Sequence, residues 1–465
     1  MSINSFDNYP LTWKPEKDAL SHPYYKSLAA DLECRIRSGQ LKPGTKLPPQ
    51  REIADYLDLN YTTITRVYEA CKKEGLIYGS VGKGTFVSPH ASEDTTLKTD
   101  AVSEEIIDLG AVNGFSEYST LVEKATVSVV EQGFLRNLYA YSFPAGHPHQ
   151  LAAGVRWMEQ LGVHTQVDNT AIFAGAQNAL TVALLSLFSP GDKIAADPYT
   201  YSNLIELAKM LHLVLVPIPG DDGGMLPEEL QKQCELKKIK GIYLMPSYAN
   251  PTTISLSLER RMALAEVIAR KHLILLEDDI ATWLIASKGT ALPSMFDLLH
   301  GQSVYICGMS KSLCPGLRIA YMTFADCYRE RILYGLCNAN IKTSSLDAEI
   351  ITELILNGDA YRIATHKREL TEKASALFAS HFSDKCPAPD CIGYYRWIPV
   401  PFSGSFQQVE NDLLKRSIRV YHSDRFSVKD VKGQSYLRIS LCSAGTMKRL
   451  DTGLRILKSC LDDRC

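Results

Sequence analysis

The sequence predicts an α/β protein in which an N-terminal winged helix-turn-helix precedes a large domain with a mainly parallel sheet. In the first ninety or so residues, helix-sized segments are followed by a glycine-rich hairpin pattern. Residues 89–105 are polar and lack hydrophobic periodicity, which is typical of a linker. From residue 106 onward, short β-rich runs alternate with helical segments, which favours parallel strands. We therefore predict domains at residues 20–88 and 106–465, joined by the linker 89–105.

Composition places the chain among ordinary globular proteins. Its 465 residues carry a net charge of -2, so any surface that attracts nucleic acid must be local. No apolar run approaches membrane-spanning length and the N-terminus lacks a signal-like pattern, so we expect a cytoplasmic protein with no membrane partner. The twelve cysteines are scattered and include no CxxC pair, which argues against a zinc site or a disulfide framework. No bound metal is predicted.

The first domain is predicted element by element from local patterns. Residues 24–37 carry apolar side chains at helical spacing, and a Pro-Gly turn then leads to a short helix from Gln50 to Leu57. A further helix begins near residue 60 with polar side chains, as a recognition helix does when it reaches base edges and phosphates. Residues 76–87 predict a two-stranded wing whose glycines permit close approach of the backbone to DNA.

Four motifs make this domain resemble the GntR family of DNA-binding domains. They are the run 47–54 (LPPQREIA), Thr62-Thr63, the run 74–76 (EGL) and the run 82–87 (GKGTFV). The resemblance implies operator DNA as a partner, with contacts from Arg51, Thr62, Thr63, Arg66 and Gly82. Family members often carry an arginine where this chain has Tyr61, which implies a different sequence preference. Taken singly, each arginine could also be an ordinary solvated helix charge.

In the second domain, the most informative motif is a lysine followed seven residues later by an arginine, Lys311 and Arg318. A lysine amine can condense with a carbonyl cofactor, and the planar guanidinium suits a phosphate. Other polar motifs follow predicted strands at 171–174, 193–196, 241–245 and 273–276. Open α/β sheets bind ligands at these carboxyl ends of strands.

Together these motifs resemble fold-type I aminotransferases, which depend on pyridoxal 5'-phosphate (PLP). The resemblance implies Lys311 as the catalytic, cofactor-bearing lysine, Tyr201 stacked on the pyridine ring and Asp278 at the ring nitrogen. It implies Arg438 as the arginine that binds a substrate or effector carboxylate. The full set of cofactor-binding residues that it implies is Ala176, Gln177, Tyr201, Asn250, Asp278, Ser310, Lys311 and Arg318.

The chain departs from the enzyme pattern at several positions. Ile280 and Ala281 stand where the family usually has a tyrosine that contacts the cofactor's phenolic oxygen. Gly308 replaces a phosphate-binding serine or threonine, and Thr253 replaces a glycine that often follows Asn-Pro-Thr. Lost donors loosen alignment, so these changes count against efficient turnover more than against cofactor binding.

The two resemblances combined are those of MocR-type regulators, and they cover nearly the whole chain. They imply PLP held on Lys311 as an aldimine, displacement of the lysine by an amine or amino-acid effector, and a head-to-tail homodimer. Two other hypotheses remain: a working aminotransferase, and a regulator that senses PLP itself. The sequence does not distinguish activator from repressor, and it identifies neither the effector nor the operator.

Overall fold

The protein is described from a computed structural model. The chain forms two compact units, residues 1–95 and 96–465. The structure describes residues 11–17, 20–37, 40–41, 44–73, 76–80, 84–87, 105–115, 119–141, 143–286, 292–383, 392–400, 406–428 and 434–462. Apart from Glu105, the predicted linker 89–105 lies outside these residues, as does Gly82.

The first unit has the predicted order of helices and wing. Its elements are α1 (Tyr24–Arg37), α2 (Gln50–Leu57), α3 (Tyr61–Lys73), β1 (Ile77–Ser80) and β2 (Gly84–Val87). Strands β1 and β2 are antiparallel, and Lys46 adds a bridge to Phe86 at the edge of the wing. The predicted second helix is confirmed, and α3 starts after Asn60, whose side-chain oxygen accepts a hydrogen bond from the Thr62 amide at 2.9 Å.

The core of the first unit joins all three helices. Leu28, Leu32 and Ile36 of α1 are fully buried, as the helical spacing predicted. On α3 the hydroxyl of Tyr68 donates to the carbonyl of Pro48 at 2.6 Å, which fixes α3 against the start of α2. Since α3 buries its apolar face in this way, its polar residues are left toward solvent.

The second unit alternates strands and helices through most of its length. Its strands are β3 (Ile107–Asp108), β4 (Thr170–Phe173), β5 (Lys193–Ala196), β6 (Val214–Pro217), β7 (Gly220–Asp221), β8 (Gly224–Met225), β9 (Ile239–Leu244), β10 (Ile274–Asp279), β11 (Ser303–Gly308), β12 (Ala320–Phe324), β13 (Tyr395–Val400), β14 (Ile418–Arg419), β15 (Tyr421–His422) and β16 (Ser435–Ser440). Its helices are α4 (Ser119–Glu131), α5 (Leu135–Tyr139), α6 (Pro148–Gln160), α7 (Ala176–Leu187), α8 (Ser202–Met210), α9 (Pro227–Lys237), α10 (Leu258–Arg270), α11 (Thr282–Ala286), α12 (Met295–Leu298), α13 (Met309–Ser312), α14 (Arg329–Asn340), α15 (Ser345–Leu356), α16 (Asp359–His381), α17 (Phe406–Lys415) and α18 (Met447–Asp462).

A seven-stranded sheet in the order β4-β12-β11-β10-β9-β5-β6 organises this unit. Neighbouring strands from β11 to β6 run parallel, whereas β12 is antiparallel to both of its neighbours. The mainly parallel sheet is therefore confirmed, with one reversed strand. A second sheet, β13-β16-β15, is antiparallel.

The central strand β10 is buried along its whole length, and it ends in acidic residues. Every residue of β10 is buried, including Glu277, Asp278 and Asp279 at its carboxyl end. Charged groups are seldom buried without a purpose or a partner, so this strand end marks a site. Within the described part of the chain, no helix is long and apolar enough to cross a membrane.

Candidate functional site

The nine candidate cofactor and effector residues of the second unit line a single cavity of ≈ 180 Å³. The cavity lies where β5, β9, β10 and β11 end, as expected for an open α/β sheet. The residues brought together are Ala176, Gln177, Tyr201, Asn250, Asp278, Ser310, Lys311, Arg318 and Arg438. Ile280 and Gly308, which depart from the enzyme pattern, line it as well.

Lys311 lies on the short helix α13, directly after β11. Its amine donates a hydrogen bond to the carbonyl oxygen of Val112. Burial lowers the pKa of Lys311 to about 8, and the nearby guanidinium groups of Arg438 and Arg318 act in the same direction. A larger fraction of the amine is therefore neutral near pH 7 than in a solvated lysine, and only the neutral amine is nucleophilic.

Asp278 is buried at the end of β10 and uses only one of its oxygens. The hydroxyl of Tyr243 donates to Oδ2 at 2.7 Å, while Oδ1 is buried with no hydrogen-bond partner among the described residues. Burial raises the pKa of Asp278 to about 6, and the Tyr243 hydrogen bond opposes that rise. Asp278 lines the cavity, and a carboxylate with an unpartnered oxygen fits the protonated nitrogen of a pyridine ring.

The start of α7 and Arg318 form the end of the cavity suited to a phosphate. Gly175 precedes the helix with a φ of 85°, and a Cβ there would lie only 2.4 Å from Nη2 of Arg318. Glycine is therefore required for this close approach. Nη1 of Arg318 donates to the hydroxyl of Ser310 at 3.2 Å. Amides at a helix N-terminus beside a guanidinium group suit an anion.

Packing against α7 explains why a residue without a side chain stands at position 308. A Cβ at Gly308 would meet the Cβ of Ala176 at 3.3 Å, closer than ordinary side-chain contacts. A serine or threonine there would have to displace the first residue of α7. The departure from the enzyme pattern therefore goes together with a close approach of β11 to α7.

Tyr201 and Arg438 lie on other walls of the cavity. The hydroxyl of Tyr201 donates to Oε1 of Gln177 at 3.0 Å. Arg438 donates from Nη1 to Oδ1 of Asn250 and from Nη2 to the carbonyl of Gly110, each at 2.8 Å. Its Nε has no partner among the described residues, so the guanidinium retains a donor. Asn250 and Arg438, predicted to bind two different groups, are thus bonded to each other here.

Sequence reasoning missed several groups of this site. Tyr243 lies mid-strand in β9, where a tyrosine ordinarily indicates packing, yet its hydroxyl holds Asp278. Val112 takes part through a backbone carbonyl, which no side-chain pattern reveals. The ring of Tyr395 lies 5.5 Å from the guanidinium carbon of Arg438. A cross-strand pairing of β13 with β16, had it been predicted, would have drawn attention to Tyr395.

In the first unit, the candidate DNA contacts Thr62, Thr63 and Arg66 lie on α3 and Arg51 lies on α2, while Gly82 lies outside the described residues. Arg51, Thr62 and Arg66 are exposed or half-buried, and Thr63 is half-buried. Thr62 and Arg66 are one helical turn apart and so share a face of α3. Tyr61, in the position where an arginine is common, is 47% exposed and available to a partner.

Known protein families match both units of the chain. Residues 24–87 match bacterial regulatory proteins of the gntR family, and residues 106–457 match aminotransferase class I and II. The chain is 36% identical over 464 residues to "Uncharacterized HTH-type transcriptional regulator YdeF" of Bacillus subtilis (strain 168), and the match covers 100% of both chains. The chain belongs to the MocR-type transcriptional regulators. This regulator therefore combines a GntR domain with an aminotransferase-like domain.

Solved structures show the same fold for the second unit of the regulator. An archaeal alanine:glyoxylate aminotransferase superimposes with a TM-score of 0.71 at 18% identity, over 77% of this chain and 91% of that chain. LysN, an alpha-aminoadipate aminotransferase from Thermus thermophilus complexed with N-(5'-phosphopyridoxyl)-L-leucine, gives 0.68 at 20% identity, over 77% and 92%. At these identities the likeness concerns the fold.

Proposed function

We propose that this regulator binds operator DNA and holds PLP through Lys311, where it senses an amine or amino acid. One observation carries the proposal: four side chains of suitable chemistry line one cavity. They are Lys311 with its lowered pKa, Asp278 with one unpartnered oxygen, and the two arginines Arg318 and Arg438. When bound, the cofactor supplies an aldehyde that condenses with amines and exchanges one for another. We place its site of action in the cytoplasm, with the operator DNA.

Each residue of the cavity has a proposed task. Arg318, Ser310 and the amides of Ala176 and Gln177 hold the phosphate. Tyr201 covers one face of the ring, and Oδ1 of Asp278 accepts the proton at the ring nitrogen. Lys311, whose amine is neutral more often than that of a solvated lysine, would hold the cofactor's carbonyl group.

The bond between Arg438 and Asn250 gives a way to distinguish effectors. A carboxylate on the effector would compete with Asn250 for the guanidinium, and it would release the amide toward the cofactor. An amine without a carboxylate would leave that bond in place. Arg438→Ala should therefore abolish a response to amino acids and spare a response to simple amines or to PLP itself.

Coupling to DNA requires a difference in effector affinity between two conformations. We propose that the effector favours a closed arrangement of the second unit, and that closure changes DNA affinity. We also propose a head-to-tail homodimer, supported by an exposed aromatic group on the second unit: Tyr139 is 70%, Tyr141 86% and Phe143 56% exposed. Light scattering after size exclusion should give twice the mass of one chain.

The decisive experiment measures binding to DNA from the protein's own upstream region, with and without PLP, at fixed salt. Wild type, Lys311→Ala and the exposed control Lys448→Ala should be compared. We expect PLP-dependent DNA binding in wild type and the control, and its loss in Lys311→Ala. Identical PLP dependence in Lys311→Ala would contradict the proposal.

An active aminotransferase is the second candidate, favoured by Lys311, Asp278 and Arg438 lining the same cavity. Incubation with mixed amino acids and 2-oxo acids separates the two. Sustained product formation, together with no DNA binding under any condition, would favour the enzyme. An absorbance change of the cofactor without turnover would favour the sensor.

A further inference from the structure

A second, larger cavity of ≈ 920 Å³ adjoins the proposed cofactor site in the second unit. It is bounded on one side by the end of β5, the hairpin of β7 and β8 and the turn at 249–256, and on the other by β13 and β16. Met245 lines both cavities, whereas Lys311, Arg318 and Arg438 do not line the second one. It is therefore a separate space with its own chemistry.

Three aromatic side chains form one wall of this cavity. The rings of Trp397 and Tyr436 are stacked, with centroids 5.1 Å apart and planes 9° apart. Tyr199 stands edge-on to both, at 5.4 Å from Trp397 and 6.0 Å from Tyr436. The negative faces of such rings attract cations.

Asp197 lines the same cavity, directly after β5. Its side chain is half-buried and its carboxylate has no hydrogen bond and no ion pair with any described residue, and desolvation raises its pKa to about 7. A partly desolvated carboxylate without a protein partner is stabilised when a cation from solution binds beside it. The cavity beside it has room for the missing partner.

The remaining charged groups leave the cavity negative. Asp221 is held by Nη2 of Arg260 at 2.9 Å, and Asp222 is exposed at the rim. Arg396 also lines the cavity, and its guanidinium keeps its positive charge while it donates to the carbonyls of Gly393 and Tyr395. Three carboxylates, those of Asp197, Asp221 and Asp222, therefore line the cavity against one guanidinium, and this balance favours a cation over an anion.

We propose that the cavity between Asp197 and the rings of Tyr199, Trp397 and Tyr436 is a second ligand site, which binds an organic ammonium ion. The ammonium group pairs with Asp197, and its apolar body packs against the stacked rings. A ligand placed there touches both the seven-stranded sheet region and the smaller sheet. The site does not depend on cofactor chemistry, and it extends the regulator's inputs beyond the proposed Lys311 site.

A probe that cannot condense with an aldehyde tests this site separately from Lys311. N,N-dimethylbenzylamine is protonated at neutral pH, carries one N–H donor and has an aromatic body. Benzyl alcohol is its uncharged comparison. Calorimetric titration of the full-length protein at about pH 8, where Asp197 is ionised, should show saturable binding of the amine and much weaker binding of the alcohol.

Variants of the lining residues test whether the amine binds in the second cavity. Asp197→Asn should weaken amine binding by about tenfold or more, since a charge-assisted hydrogen bond is lost. Trp397→Leu should weaken it several-fold, and Lys311→Ala should leave it unchanged. Equal binding of amine and alcohol by wild type would overturn the proposal without any variant being needed. Loss of binding in Lys311→Ala, or full retention in a folded Asp197→Asn, would overturn it too.

Discussion

Asp278 and Asp197 lie at the carboxyl ends of β10 and β5 in the seven-stranded sheet, and their surroundings compensate the loss of solvent differently. Asp278, near the end of β10, has one oxygen held by Tyr243 and the other without a partner among the described residues, and it lines the same cavity as Lys311. Asp197, after β5, has no protein partner within the described residues. Burial raises the pKa of both, to about 6 and about 7. The two carboxylates differ in that the hydrogen bond from Tyr243 lowers the pKa of Asp278 against the effect of burial, whereas no such donor acts on Asp197.

Asp278→Asn should produce the largest effect, a loss of PLP affinity of about 10–100-fold, because a charge-assisted hydrogen bond contributes roughly 1.5–3 kcal/mol. Absorbance titration with PLP measures it. The exposed Asp326→Asn serves as a control for charge alone. Unchanged PLP affinity in Asp278→Asn would remove this residue from the cofactor site.

Asp197→Asn should instead stabilise the protein above pH 7, by about 1–2 kcal/mol, because an unpartnered carboxylate disappears. The folded pKa of about 7 exceeds the unfolded value of about 3.9, so the folded state holds the proton more tightly. The free energy of unfolding of wild type therefore falls as pH rises from about 4 to 7, and then levels off. Denaturant melts at several pH values should show that the free energy of unfolding of the variant, relative to that of wild type, increases as pH rises across that window.

Other groups titrate in the same range, so only the difference between variant and wild type is informative. Around Asp197 the cavity also presents Asp221, Asp222, Tyr199, Tyr436 and the guanidinium of Arg396. Glu277, elsewhere in the unit, has its pKa raised to about 8 by burial. A variant that loses stability at every pH would mean that Asp197 already has a strong partner.

Tyr243→Phe sharpens the comparison by making Asp278 more like Asp197. Removing the hydroxyl takes away the interaction that lowers the pKa of Asp278, so that pKa should rise further. PLP affinity should fall about fivefold near pH 7, and the loss should shrink toward pH 8, where the acid ionises again. Titration at the two pH values checks this, and a pH-independent loss would point to packing alone.

Thr253→Gly tests the turn that borders the second cavity and should have the smallest effect. Thr253 has a φ of 65°, a left-handed conformation that is unfavourable for a β-branched residue. Glycine relieves about 1–2 kcal/mol of strain and loses about 0.5–1 kcal/mol through its freer unfolded chain. A net gain of about 0.5 kcal/mol in the free energy of unfolding is expected, measured by denaturant melts against Thr252→Ala.

Local sequence patterns predicted the helices and strands whose ends are defined by neighbouring residues. The helix Gln50–Leu57 and the strand Lys193–Ala196 have their predicted bounds, because apolar periodicity and turn residues define them. The candidate cofactor residues converge as the family resemblance implied, since strand ends of a parallel sheet meet at one edge. The left-handed Thr253 also explains why the family often has glycine at that position.

The second cavity could not be predicted in this way. Its aromatic wall takes Tyr199, Trp397 and Tyr436 from three distant segments, and each tyrosine or tryptophan alone indicates packing. The bond between Asn250 and Arg438 likewise joins residues 188 positions apart. Such pairings depend on how β13 and β16 face the larger sheet, which sequence periodicity does not encode.

Strand β16 gives the two cavities a common element. Tyr436 and Arg438 are two residues apart and so lie on the same face, one beside each cavity. A shift of this strand would move both side chains, and if it changed the affinity of both sites, thermodynamic reciprocity would require each ligand to change the other's affinity by the same factor. With both sites in use, the regulator would respond to the joint concentrations of two small molecules, and neither would set transcription alone.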